Sequence, residues 1–402
     1  MTELAVRFDT VLHARDVLDR QDGHAGAIGA YVRSETDISD STGLLLAALS
    51  PLSRAATELG AQAATGAATM CRLVADQVTS AAADYARADR EEHEAMAGLG
   101  RRLGTAVTPW QDPRASVPAL GGPKERADGD YGQVDSWLWD KASGTGEAVG
   151  DLVTGVRDVA GRVPGWSGHG VVVEAVDPRS YLVPPACTEN WVQDVRWNAG
   201  VLLGSIDWVA EQFIGFSILE RCVFSPLGGD WRAISRASEA WHHSASAAIA
   251  IGRNCAALTA SSVDGWQGAG GDAFRAIAAS MSGALVALGA GYEKASGLVS
   301  TVATVSKLAC AGIGMAIKQI ANILIKIAAE AAVPVVGWAV GAATIWWDVE
   351  KVVGLVRLVY NLIETVMSAI EQFAESKVEL LDSVRLIEDL VESLARTTGA
   401  VR

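Results

Sequence analysis

A chain of 402 residues, 50% hydrophobic and 20% charged, can bury the core of two or three domains and is not a disordered polypeptide. Its formal charge of -14, with no basic run anywhere, argues against a nucleic-acid partner, because affinity for phosphates is built from clustered Lys and Arg. The five cysteines, Cys71, Cys187, Cys222, Cys255 and Cys310, are odd in number and contain no C-x-x-C pair, so neither a disulfide framework nor a zinc site follows from them.

The first twenty residues carry charges throughout and lack the apolar core of a secretory signal, which leaves export by a signal-less route open. From Leu4 to about Val32, apolar residues recur every three to four positions and predict a helix. Ser34 to Gly43 is rich in capping and turn residues and predicts a chain reversal. A second helix is expected from Leu44 to about Met96, offset at Pro51. Two such helices bury only a narrow seam, so a partner surface should cover their other apolar face. Residues 1–97 form this first hairpin.

Residues 98–188 read as a connector in which eight prolines gather beside many glycines. Its tryptophans, Trp110, Trp137, Trp139 and Trp166, predict that parts of it dock on a folded body, and Val171-Val172-Val173 would suit one short strand. Residues 189–306 return to helix. Trp191 to Phe213 mark one apolar face, Ser225 to Gly229 a stop, and Asp230 an N-cap for a helix to about Ser262. Asp272 reads as the cap of the next helix, which runs past Lys307. Residues 307–402 are apolar, then amphipathic. Ile327 to Trp347 carries one charge, Glu330, and is long enough to span a bilayer. Gly337 and Gly341 space a G-x-x-x-G within it, whereas Glu330 inside the stretch and Pro334 interrupting it count against a span, and an all-round apolar helix is equally what the buried centre of a soluble bundle requires.

Between the two later helices stands Trp266-Gln267-Gly268. Glycine permits backbone conformations closed to other residues, and the indole offers an apolar plate that either packs against a neighbouring helix or is presented to a partner. The stretch DGWQGAGGDAF from Asp264 to Phe274, with Leu227-Gly228-Gly229-Asp230-Trp231 and Trp241 before it, resembles the WXG100-like superfamily of type VII (ESX) secretion substrates over about Glu211 to Ser306. The N-terminal hairpin is similar to the separate, WXG-lacking branch of ESX-secreted proteins, through Gly43-Leu44-Leu45-Leu46 and Ala83 to Asp89. Tyr85 and Asp89 match that branch's Y-x-x-x-D/E export signal, and as i and i+4 residues they share one helix face. Tyr292 has Ser296 where the acid would stand.

The resemblance implies an all-α protein whose two hairpins pair in cis as a four-helix bundle, followed by an apolar helical region. Trp266, Gly268, Tyr85 and Asp89 would be recognised by the ATPase component of a type VII secretion machinery. A WXG100-type partner, a homodimer and membrane lipid are the other expected partners. The protein would be cytoplasmic before export, then secreted or at the cell surface, with membrane association as a further expectation. No cofactor or metal is expected. His242-His243 lacks further ligands and suits a solvated helix face, the glycines at 265, 268, 270 and 271 are followed by no Gly-Lys-Ser/Thr, and no G-x-S-x-G or Cys-His pair is evident, so no enzyme is expected. Two alternatives remain: a membrane-active effector that inserts Leu308 to Val356, and the delivery half of a toxin system whose toxin is a separate chain.

Overall fold

A computed structural model describes residues 6–132, 171–186, 230–331 and 338–400. These residues are all-α, with five long helices and no strand among them. We number the helices α1 (Phe8–Glu35), α2 (Leu49–Arg102), α3 (Trp231–Ser261), α4 (Ala269–Ala331) and α5 (Trp338–Ala400).

α1 and α2 form the first hairpin. Val11, Ala14, Val17, Leu18, Ala25, Ile28 and Val32 line the buried face of α1 at helical spacing. The alanines of α2 allow close approach, so a Cβ at Gly29 would already touch the carbonyl of Ala61 at 3.4 Å. The reversal is closed by the Thr36 hydroxyl, which donates to the Val32 carbonyl at 2.7 Å, and by Ser53, whose hydroxyl accepts from the Ile38 amide at 3.1 Å.

α3 starts as expected: the Asp230 carboxylate accepts from the amides of Arg232 and Ala233 at 3.0 and 3.2 Å. The Asp230 amide in turn donates to the carbonyl of Ser41, which ties the start of α3 to the turn of the first hairpin. α3 and α4 pack antiparallel, and Ser238 and Ser296 each donate a hydroxyl to the other's carbonyl, at 2.9 and 2.7 Å.

The two hairpins meet along α1 and α3, while α5 packs against both α2 and α4. The hairpins also touch at Gly60 of α2, whose carbonyl accepts the Tyr292 hydroxyl at 2.6 Å. Trp241 packs beside Tyr292, ring centroids 5.5 Å apart, and both are fully buried. Cys71 of α2 and Cys255 of α3 are buried free thiols. Contact with Cys255, together with burial, pushes the Cys71 thiol well above its ordinary range.

Several expectations need correction. α1 begins at Phe8, because Val6 is engaged in a short backbone bridge to Trp266. Leu44–Leu46 form a 3-10 turn and α2 starts at Leu49, so Pro51 falls in its first turn, where a missing amide costs nothing, and no offset follows. α4 begins at Ala269, which puts Asp272 inside its first turn instead of at its cap. Hydropathy changes near residues 306 and 307 without any helix-breaking residue, and α4 runs on through them. Residues 171–173 pair in no strand. Trp137, Trp139, Trp166, residues 189–229 and Pro334 lie outside the described residues, as do the side chains of Ile327 to Trp347.

Candidate functional site at the α3–α4 turn

Gly268 has φ +90°, a left-handed conformation that a residue with a Cβ adopts only at a cost, and it redirects the chain into α4. Two neighbours have no room for a side chain. A Cβ at Gly265 would lie 2.0 Å from the Thr10 hydroxyl, and one at Gly271 would lie 2.0 Å from the Trp266 carbonyl oxygen.

This tight path turns Trp266 inward. The side chain is 2% exposed and stacks on Phe274, with centroids 4.9 Å apart and planes 24° apart. The Trp266 amide donates to the Ser262 carbonyl at 2.9 Å, and Arg275 donates to the Trp266 carbonyl at 2.8 Å while also pairing with Asp272. From the first hairpin, the Arg7 amide donates to the Gly265 carbonyl at 2.7 Å. Of the two roles open to the indole, packing is the one the structure displays.

Tyr85 of α2 meets the same turn. The Trp266 indole N–H donates to the Tyr85 hydroxyl at 3.3 Å, and that hydroxyl is also the atom a Cβ at Gly270 would strike, at 2.6 Å. One turn further along α2, the exposed Asp89 carboxylate accepts the Trp110 indole N–H at 2.8 Å. Thus Trp266, Gly268 and Tyr85 share one cluster made by both hairpins. Asp89 stands at its solvent edge, held by a residue of the connector.

Trp110 was missed as part of this constellation because its place is set by a chain reversal after α2, and no sequence spacing encodes that. The reversal itself is visible: Gly104 has φ +76°, and His93 meets the Thr108 carbonyl at 2.9 Å. Docking of the connector through its tryptophans is therefore observed at this one position.

His242-His243 does not form the solvated face expected of it. His243 is 1% exposed, whereas His242 is half-buried and meets the Glu293 carboxylate at 2.6 Å. Burial, with the neighbouring His242 imidazole, lowers the His243 pKa from 6.5 to about 4. Among the described residues, no group of three or more His, Cys, Asp or Glu is placed to hold a metal ion.

Fold and site together define an all-α protein with an inter-hairpin aromatic cluster. Compared with protein-family models, with curated proteins and with solved structures, the chain finds no match.

Proposed function

We propose that this chain is a non-enzymatic protein recognised for export by type VII-like secretion machinery, with the two hairpins of one polypeptide supplying a composite signal. The observation that carries the reading is the Trp266–Tyr85 hydrogen bond, which joins a Trp-x-Gly turn on one hairpin to the Tyr-x-x-x-Asp pair within α2, more than three turns before its end, on the other. The α1–α3 contact and the Tyr292–Gly60 hydrogen bond support pairing in cis, for which no separate WXG100-type partner is required. Because Trp266 is buried, the surface offered to an ATPase component would be exposed residues of the two elements it joins: Asp89, which holds the half-buried Trp110, on α2, and Gln267 and Asp272 at the turn.

Export from an actinobacterial host with a type VII system tests this. Asp89→Ala should reduce the supernatant fraction about tenfold, the loss expected from removing one contact worth roughly 1.4 kcal/mol, while Asp84→Ala on the same exposed helix should leave it unchanged. Equal export of Asp89→Ala and wild type, at equal thermal stability, would remove Asp89 from the signal. Retention of the wild type in the cells would count against the export reading itself.

A specific observation also favours the second reading, insertion into a bilayer. Two helical stretches, Ala269–Ile320 and Glu350–Ala374, are long and apolar enough to cross a membrane, and in the second only 17% of the apolar window is buried. α3, at 31 residues, is half as long as α4, so beyond about residue 306 α4 no longer has it as a neighbour. There Leu308, Ile317, Val353, Val356, Leu358 and Tyr360 stand exposed. Flotation with phosphatidylglycerol-containing vesicles should carry the protein upward, and Val356→Glu with Leu358→Glu should abolish this. No lipid association by the wild type sinks the reading.

A further inference from the structure

α2 outruns its neighbours. The start of α1 and the α3–α4 turn lie at the level of Tyr85, where Val6 bridges Trp266 and the Trp266 indole reaches the Tyr85 hydroxyl. No residue of α2 after Ala86 is buried. The stretch from Arg87 to Arg102 therefore projects by about 24 Å, at the 1.5 Å rise of a helix. The returning connector covers one side of this tip: Thr108 meets His93, Trp110 meets Asp89, and Val107 lies 2.6 Å from where a Cβ at Gly100 would stand.

Another side continues a row of the core. Cys71, Ala75, Val78 and Ala82 follow one another at intervals of four and three residues and are buried. The same intervals lead on through Tyr85, Asp89 and Glu92 to Met96, Leu99 and Leu103. Leu103 keeps to the row because its amide donates to the Leu99 carbonyl at 3.1 Å. These last three side chains are 68%, 52% and 73% exposed. An apolar seam of this spacing is what one helix presents to another, and a lone helix of this length is marginal in water.

The charges beside the seam are sorted along it. All four carboxylates of the stretch, Asp89, Glu91, Glu92 and Glu94, precede Met96, whereas Arg101 and Arg102 follow Leu99. With Arg87 and Arg90 the stretch is neutral, in a chain whose net charge is -14. Arg87 pairs with Asp84 and Arg90 with Glu94, but Glu91, Glu92 and Arg102 have no ion-pair partner among the described residues.

We propose that the tip of α2 is a self-association surface, on which a second copy of this chain docks antiparallel through Met96, Leu99 and Leu103. The charge order selects this occupant and this direction. When Met96 of one copy faces Leu99 of the other, the two-fold axis repeats the contact, and Glu91 and Glu92 come beside Leu103 and Arg102 of the second copy. Parallel pairing would set carboxylate on carboxylate and arginine on arginine. The contact buries roughly 1,000 Å² in total, the low end for a specific interface, so the dimer is reversible, with Kd on the order of 10 µM. It lies at the end of the bundle opposite the exposed apolar residues of α4 and α5, since α4 leaves the Trp266 turn in the other direction.

Sedimentation velocity of the full chain from about 2 to about 200 µM tests this, and its readout does not involve export. Wild type should pass from monomer to dimer across that range. Leu99→Glu places two carboxylates at the centre of the seam and should raise Kd at least about a hundredfold, leaving monomer throughout. A variant with Glu91→Arg and Glu92→Arg, and another with Arg102→Glu, should each associate about tenfold more weakly than wild type, and an equimolar mixture of the two should recover wild-type affinity or better. All four positions are exposed, so circular dichroism should show unchanged helix in each variant. A wild type that stays monomeric at about 200 µM, a dimer that survives Leu99→Glu, or a mixture that associates no better than its parts would each overturn the proposal. A dimer lost only on Val356→Glu with Leu358→Glu would overturn it too, by placing the contact on α5.

Discussion

Replacing Trp266 with alanine should lower stability by about 3–5 kcal/mol, the range for removing a large aromatic from a packed interior. The loss has three sources here. The indole leaves a hole beside Phe274, its N–H no longer reaches Tyr85, and the turn that Arg7 and Arg275 hold from both sides loses the body they close over. Urea denaturation followed by far-ultraviolet circular dichroism should show a lower midpoint at unchanged slope. Trp266→Phe retains part of the plate but gives up the hydrogen bond and one ring of the indole, so a smaller loss of about 1–3 kcal/mol is expected of it. Equal stability of the alanine variant and wild type would mean that the ring packs elsewhere in solution.

The size of this effect changes how an export experiment is read. Under the export proposal, a buried Trp-x-Gly turn would act on recognition through the shape of the helix ends it fixes, so Trp266→Ala would lower export whether or not machinery ever touches the indole. Tyr85 is in the same position, half-buried with its hydroxyl turned toward the indole. Asp89 is different. It is exposed, its partner Trp110 is at the surface, and its removal disturbs no core contact. A deficit confined to Asp89 variants would therefore report recognition, which a deficit in Trp266 variants cannot do.

Much of the helical framework was legible because its signals are local. Asp230 caps α3 from its own side chain, the period of Val11, Val17, Ile28 and Val32 marks the inner face of α1, and Ser34 to Gly43 contains its own turn chemistry. What escaped was set by distant partners. Val6 reads as the start of a helix until the Trp266 turn takes up its backbone, and His243 reads as surface until Tyr31 and Val183 close over it. The connector shows the same limit. Its composition points to an irregular chain, yet Glu174 and Asn254 hold parts of it in place through contacts that span 78 to 154 positions.

Gly60→Val should destabilise the protein by about 3 kcal/mol or slightly more, the upper end for overpacking a core that cannot yield. Helix propensity alone predicts the opposite sign, because valine is the better helix former by a few tenths of a kcal/mol. The steric term decides. A Cβ at residue 60 would lie 2.8 Å from the Trp241 ring and 3.2 Å from Tyr292, both fully buried, and the Tyr292 hydroxyl is anchored to the Gly60 carbonyl itself. α2 must therefore move away from α3 and α4 together, and that contact belongs to the pairing of the two hairpins. Gly98→Val, in the same helix and with nothing within 4 Å of the added Cβ, supplies the comparison in which propensity acts without the clash. Denaturation midpoints should fall for Gly60→Val and stay level or rise for Gly98→Val. If both variants match wild type, the first hairpin is free of the second in solution, and a partner from another chain must then cover the face that Trp241 and Tyr292 occupy here.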